Sequence, residues 1–169
     1  MKRIVLIIAA ACMLLISSAV MSQDYRDVRI KKIPVRIQCW TYRNFTFFET
    51  LEKVEALGVG NVQAYRGQDL SKDMPGLKFG PELTNEQLKT VRRKLLDHGI
   101  RVTAYGVVGF DNNEESMRAV FDFAKKMGIG TIVTEPAYDD YSLIEKMVRE
   151  YNIRVAIHNH PLPNKYARP

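Results

Sequence analysis

Cysteine is almost absent from this sequence. Only Cys12 and Cys39 occur, and Cys12 lies inside an N-terminal apolar run that we expect to be removed. A chain with one remaining thiol cannot form an internal disulfide, so we expect its stability to come from a hydrophobic core. Cys39 stands in a strand-like segment, where we predict a small buried side chain rather than a nucleophile.

Two further absences exclude classes of function. No Gly-x-Gly-x-x-Gly motif follows the first predicted strand, which argues against a dinucleotide-binding sheet. The net charge is +6, but no concentrated basic patch accompanies it, because the basic residues are dispersed apart from short groups at 29–32 and 92–94. The second group lies in a predicted amphipathic helix, where a solvated outer face accounts for it. We therefore expect no nucleic-acid partner.

The N-terminus has the three parts of a secretory signal peptide. Lys2 and Arg3 precede an apolar run at 4–15, and small residues follow at 17–22. We predict a signal peptide over 1–22, with cleavage after Ser22 or Ala19, followed by a linker at 23–33. After cleavage, we expect an exported, periplasmic protein that is no longer attached to the membrane. A retained anchor is the alternative, although the apolar run is only marginally long enough to span a bilayer.

Strand-like and helix-like segments alternate through residues 34–169, which we interpret as one domain. Each join between a helix and the next strand carries a residue that tolerates a left-handed backbone: Gly58, Gly99, Gly128 and Asn152. This repetition predicts parallel βα units with right-handed crossovers. The predicted strands cover 35–42, 59–65, 100–107, 129–134 and 153–158. An α/β fold follows, and both a doubly wound open sheet and an incomplete (β/α)8 barrel of about five strands fit it.

Polar and aromatic residues gather where these strands end, which is the functional edge in either architecture. His158 and His160 share one face of the last strand, with Asn159 on the other. Together with Glu135 they form a ligand set suited to Mn, Zn, Co or Fe, or alternatively a set of acid/base groups. A long irregular segment at 66–83 is expected to cover the site. The other strand-end residues are Trp40, Tyr42, Arg43, Gln63, Tyr65, Tyr105 and Asp111.

Three motifs carry a resemblance to a known family: IQCWTYR at 37–43, GIGTIVTEP at 128–136 and YNIRVAIHNHP at 151–161. Over residues 33–169 the chain resembles the xylose-isomerase-like (β/α)8 barrels, which are sugar isomerases and epimerases. The resemblance implies a divalent metal (Mn, Zn, Co or Mg) that polarises a sugar carbonyl while acid/base groups move a proton on the adjacent carbon.

The resemblance also implies roles for individual residues. Glu135 and His158 are the candidate metal ligands, and His158 and His160 are the candidate catalytic acid/base groups. The candidate contacts to a small sugar or keto-sugar substrate are Trp40, Tyr42, Tyr105 and Asn159.

The family takes its remaining ligands, an aspartate, a histidine and a glutamate, from its sixth to eighth strands, whereas this sequence ends after the fifth. We therefore expect a truncated product or fragment that is active only if those strands are supplied, with pairing in a homo-oligomer as the alternative. A non-catalytic remnant or carbohydrate-binding half-barrel, and a lyase acting on 3-keto-sugars, are the other functional readings.

Overall fold

Seven strands and four α-helices make up the computed structural model, which describes residues 27–110 and 113–167. The strands are β1 (Arg29–Ile30), β2 (Ile33–Pro34), β3 (Ile37–Gln38), β4 (Asn61–Ala64), β5 (Arg101–Val108), β6 (Thr131–Thr134) and β7 (Arg154–Ile157). The helices are α1 (Phe47–Ala56), α2 (Asn85–Asp97), α3 (Glu114–Met127) and α4 (Tyr141–Tyr151). The predicted signal peptide lies outside the described residues, and so does Asp111.

Strands β3 to β7 form one parallel sheet in the order of the chain. A doubly wound sheet reverses its strand order at a switch point, whereas strands added in one direction build a barrel wall. The sheet is therefore a five-stranded part of a (β/α)8-type architecture, and the doubly wound alternative is excluded. Strands β1 and β2 pair separately as a small antiparallel hairpin that overlaps the linker predicted at 23–33.

The first strand of the sheet is shorter than predicted. Only Ile37 and Gln38 pair with β4, and Cys39–Tyr42 is a 3-10 turn. The prediction of a strand across 35–42 is therefore wrong, because β-forming residues give a strand only where a neighbouring strand offers backbone partners. Cys39 is fully buried in this turn, and burial raises the pKa of its thiol to about 12. A thiol of that pKa is no nucleophile at neutral pH.

Short-range signals define the helix ends. Thr84 and Gln87 form a capping box at the start of α2, and Thr46 forms another with Glu49 at the start of α1. The side chain of Asn113 caps α3 by accepting a hydrogen bond from the backbone N–H of Ser116. Gly128 ends α3 with a left-handed φ of 69°, as the sequence predicts.

The helices pack on one face of the sheet through a single hydrophobic cluster. Each fully buried Leu or Phe side chain there contributes about 1.5–3 kcal/mol relative to exposure. The irregular segment 66–83 joins this core, since Phe79 is fully buried and stacks on Phe47 with ring centroids 4.2 Å apart. The expectation that this segment covers the site is therefore wrong for most of its length, because its apolar side chains are used in the core.

No helix in residues 27–110 and 113–167 is long and apolar enough to cross a membrane.

Candidate functional site

A cavity of about 470 Å³ opens at the carboxyl ends of the five parallel strands. Every strand of the sheet, or the residues that follow it, contributes to the lining. Strand ends meet at one edge of a parallel sheet, which is why residues distant in sequence converge here. The lining residues are Gln38, Trp40, Tyr65, Arg66, Gly106, Val107, Glu135, His158 and His160.

One side of the cavity holds a carboxylate and two imidazoles. Glu135 follows β6, and His158 and His160 follow β7; one potential ligand atom from each lies within 4.8 Å of the other two. The Nε2 atom of His160 is 2.8 Å from Oε1 of Glu135. The two imidazole rings meet edge to face, with centroids 4.7 Å apart. Both histidines therefore line the same side of the cavity, although β7 ends at Ile157 and neither lies on the strand as predicted.

Burial differs within this cluster. The side chain of Glu135 is 22% exposed and that of His160 is 51% exposed. The carboxylate is thus set into the wall while an imidazole remains open to an entering molecule. The backbone N–H of His158 donates to the carbonyl of Thr134 at 2.9 Å, which continues the β6–β7 pairing to the edge of the cavity.

The residues after β7 fold back over the end of β6. The side-chain amide of Asn164 donates from Nδ2 to Oε2 of Glu135 at 3.3 Å. The ammonium of Lys165 and the hydroxyl of Tyr166 both donate to the carbonyl of Pro136, each at 2.6 Å. This segment is therefore hydrogen-bonded to both Glu135 and Pro136.

The opposite wall is aromatic. Trp40 is 52% exposed and meets Tyr65 edge to face at 5.0 Å between ring centroids. The guanidinium of Arg43 lies 5.7 Å from the centre of the Trp40 ring. Burial raises the pKa of Tyr65, so its hydroxyl stays protonated at neutral pH. Arg66 also lines this wall and forms an ion pair with Glu82.

Three predicted substrate contacts do not line the cavity. Tyr105 is fully buried on the helix side of the sheet, with its ring centroid 4.9 Å from that of Phe123. Strand β5 continues to Val108, so Tyr105 is not at a strand end as predicted, and its side chain points into the core. Tyr42 is half-buried against Phe45, and Asn159 is exposed away from the cavity. Of the predicted substrate contacts, Trp40 alone reaches the cavity wall.

The third histidine of the chain lies elsewhere. His98 follows α2, where its Nδ1 is 2.7 Å from Oε2 of Glu55, and it does not line the cavity. The cavity therefore contains two of the three histidines in the sequence.

Sequence reasoning missed Gln38, Gly106, Val107 and Asn164, whereas Arg66 begins the segment that was expected to cover the site. Strand alternation could have found Gln38, which belongs to the strand that ends beside Trp40. Asn164 lies in an irregular segment with no period, so no pattern indicates that it reaches Glu135.

The Glu135, His158 and His160 donors fit a divalent transition metal. Two imidazoles and one carboxylate suit Zn, Co or Fe better than Mg, which prefers an all-oxygen shell. Ligand atoms bound at about 2.0–2.2 Å are roughly 3 to 3.5 Å apart, so the widest pair here must draw closer when an ion binds. All three side chains as ligands, or Glu135 and His158 alone with His160 kept as an acid/base group, leave positions open for a substrate oxygen. Without a metal, the same groups can act as a hydrogen-bonded acid/base pair.

No protein-family model and no curated protein matches the sequence. Solved structures do match the fold. An uncharacterized protein from Parabacteroides distasonis is 33% identical, with a TM-score of 0.70, over 75% of this chain and 52% of that one.

Two further structures carry descriptive names. A xylose isomerase domain containing protein from Salmonella typhimurium is 16% identical, with a TM-score of 0.58, over 82% of this chain and 53% of that one. A sugar phosphate isomerase/epimerase from Parabacteroides distasonis is 13% identical, with a TM-score of 0.52, over 80% and 59%. This chain spans a little over half the length of these three structures. Its five strands thus have the fold of xylose-isomerase-like (β/α)8 barrels, as an incomplete barrel.

Proposed function

We propose that this protein is an exported, metal-dependent protein of the sugar isomerase/epimerase type, which transfers a proton next to a sugar carbonyl. The observation that carries the proposal is the convergence of Glu135, His158 and His160 in a cavity with an aromatic wall. The names of the solved structures that share the fold support the substrate class. The signal-like sequence at 1–22 supports export.

The residues of the cavity suggest a division of labour. Glu135 and His158 hold a divalent metal such as Zn, Co or Mn, which, when bound, polarises a carbonyl or hydroxyl oxygen of the sugar. His160 is the more exposed group and lies beside Glu135, so it is placed to accept and return a proton at the neighbouring carbon. The open face of Trp40 packs against the apolar face of a sugar ring and orients it.

The test begins with metal binding. Purified 169-residue protein is stripped of metal and titrated with Zn²⁺ and Co²⁺ by calorimetry, alongside the Glu135→Gln and His158→Gln variants. We expect each variant to lose about 100-fold or more in affinity, because even the outer partners of ligands contribute 10–100-fold. His98→Gln is the matched control, since His98 pairs with Glu55 away from the cavity.

Solvent deuterium exchange into ketohexoses, followed by mass spectrometry, then tests proton transfer. If metal binding and exchange both survive in Glu135→Gln and His158→Gln, the proposal is wrong. Sugar binding with neither exchange nor metal binding in the wild type favours instead a carbohydrate-binding half-barrel. The exposed Trp40–Tyr65 wall is the observation that supports this second candidate.

A further inference from the structure

We propose that Asn164 is a positioning residue for the carboxylate of Glu135. This inference rests on the proposed metal-binding function and assigns a part in it to a residue outside the donor set. The two oxygens of Glu135 have different partners: Oε1 faces Nε2 of His160 at 2.8 Å, and Oε2 accepts from Nδ2 of Asn164 at 3.3 Å. The Asn164 bond therefore holds Oε2 and leaves Oε1 facing the imidazole of His160.

The orientation of the Asn164 amide is set by its own surroundings. Its Oδ1 accepts a hydrogen bond from the backbone N–H of Tyr166 at 2.7 Å. A backbone N–H can only donate, so the amide oxygen must face Tyr166 and the NH₂ group must face Glu135. The backbone of Asn164 is also fixed, because its N–H donates to Pro161 and its carbonyl accepts from Ala167. The donor thus belongs to a closed turn.

The turn is attached to the end of β6. The carbonyl of Pro136 accepts hydrogen bonds from both Lys165 and Tyr166, the two residues that follow Asn164. The hydroxyl of Tyr166 also lies 2.9 Å from that of Tyr141 at the start of α4. Asn164 is therefore part of a segment that is hydrogen-bonded to Pro136, the residue next to Glu135.

A carboxylate that can rotate about its last bond must be immobilised when it binds a cation, and that loss of freedom weakens binding. A hydrogen bond to the non-ligating oxygen removes this cost beforehand. Outer partners of this kind typically change metal affinity by 10–100-fold. Among the described residues, His160 faces Oε1 of Glu135, and the structure assigns the role of holding Oε2 to Asn164.

The test separates the donor function of Asn164 from its role in the turn. In Asn164→Ser, the hydroxyl can still accept from the Tyr166 N–H, as in serine turns, but it is too short to reach Glu135. Tyr166→Phe keeps the Asn164 amide and removes the hydroxyl bond to Pro136. Each full-length variant is titrated with Zn²⁺ by calorimetry, and its fold is checked by circular dichroism and thermal melting.

We expect Asn164→Ser to bind Zn²⁺ about 10–100-fold more weakly than the wild type. We also expect it to change the visible absorption of bound Co²⁺, which reports the ligand arrangement, while Tyr166→Phe changes neither. Equal Zn²⁺ affinity in the wild type and Asn164→Ser would overturn this inference but leave the proposed function standing. An equal loss in both variants would overturn it too, because attachment of the turn would then be the cause. If the wild type binds no Zn²⁺, the proposed function fails and this inference fails with it.

Discussion

Replacing Tyr105 with phenylalanine should stabilise the protein, although most substitutions of a buried residue destabilise. Tyr105 is fully buried, and its hydroxyl has no hydrogen-bond partner within the described residues. The hydroxyl lies against Gly80, 3.2 Å from where a Cβ on that glycine would stand. Burial raises the pKa of the phenol, which agrees with a desolvated hydroxyl.

The size of the effect follows from two opposing terms. A buried hydroxyl without a partner costs about 1–3 kcal/mol of folding free energy. Tyr105→Phe removes that cost and leaves a gap of one oxygen atom, which forfeits a few dispersion contacts of about 0.1–0.2 kcal/mol each. The aromatic contacts with Phe79 and Phe123 remain. We expect a net gain of about 1 kcal/mol, or a rise of about 2–4 °C in Tm for a chain of this size.

The assay is urea unfolding followed by circular dichroism, with calorimetric melting as a second measurement. Tyr65→Phe is the matched control, because Tyr65 is only partly buried at the cavity wall and the loss of its hydroxyl should change stability by less than about 0.5 kcal/mol. Zn²⁺ affinity should be unchanged in Tyr105→Phe. A loss of 1 kcal/mol or more would refute the reasoning, since it would mean that the hydroxyl makes a stabilising hydrogen bond. A loss of sugar binding would restore Tyr105 as a substrate contact.

Two further predictions concern the scaffold. Gly106→Ala should destabilise the protein by about 3 kcal/mol or more in urea unfolding, because Gly106 has a φ of +140° and an added Cβ would lie 2.1 Å from the Val133 carbonyl oxygen. The control is Gly109→Ala, which has open space around it and should change stability by less than about 0.5 kcal/mol. Glu49→Gln should lower Tm at neutral pH, because hydrogen bonds, above all from Lys72, lower the pKa of Glu49 from 4.5 to about 2. This lowered pKa stabilises the fold above about pH 4.5, and the contribution is lost as the pH falls toward 2, so the Tm difference between wild type and Glu49→Gln should shrink over that range. A Tm difference that stays constant with pH would contradict this account.

The repeating architecture could be predicted from the sequence because its signals are local. Helix α4 occupies residues whose apolar side chains recur at a helical period, and Asn152 follows it with a left-handed φ of 54°. The capping box at Thr84 places the start of α2. Each of these features depends on a few neighbouring residues, so the fold of the rest of the chain does not alter them.

The predictions that were wrong depend on distant partners. Residues 35–42 have strand-forming side chains, but only two of them find backbone partners in β4. Tyr105 was expected at a strand end, yet the pairing of β5 with β6 runs on to Val108 and places Tyr105 within the strand, facing the helices. Strand length and facing are set by which neighbours pair, and no short window of sequence contains that information.

The same distinction divides the candidate site into two parts. In the register of β6 and β7, Thr134 is paired with Ile157, so the next residues, Glu135 and His158, must leave the sheet side by side. A shift of one residue would turn His158 to the opposite face of the sheet and separate the pair, so the β6–β7 register also fixes this part of the site. His160 and the orientation of Glu135 require more than the strands supply. The orientation of Glu135 depends on the turn around Asn164, and the affinity of Asn164→Ser for Zn²⁺ measures how much that turn adds to what strand register alone provides.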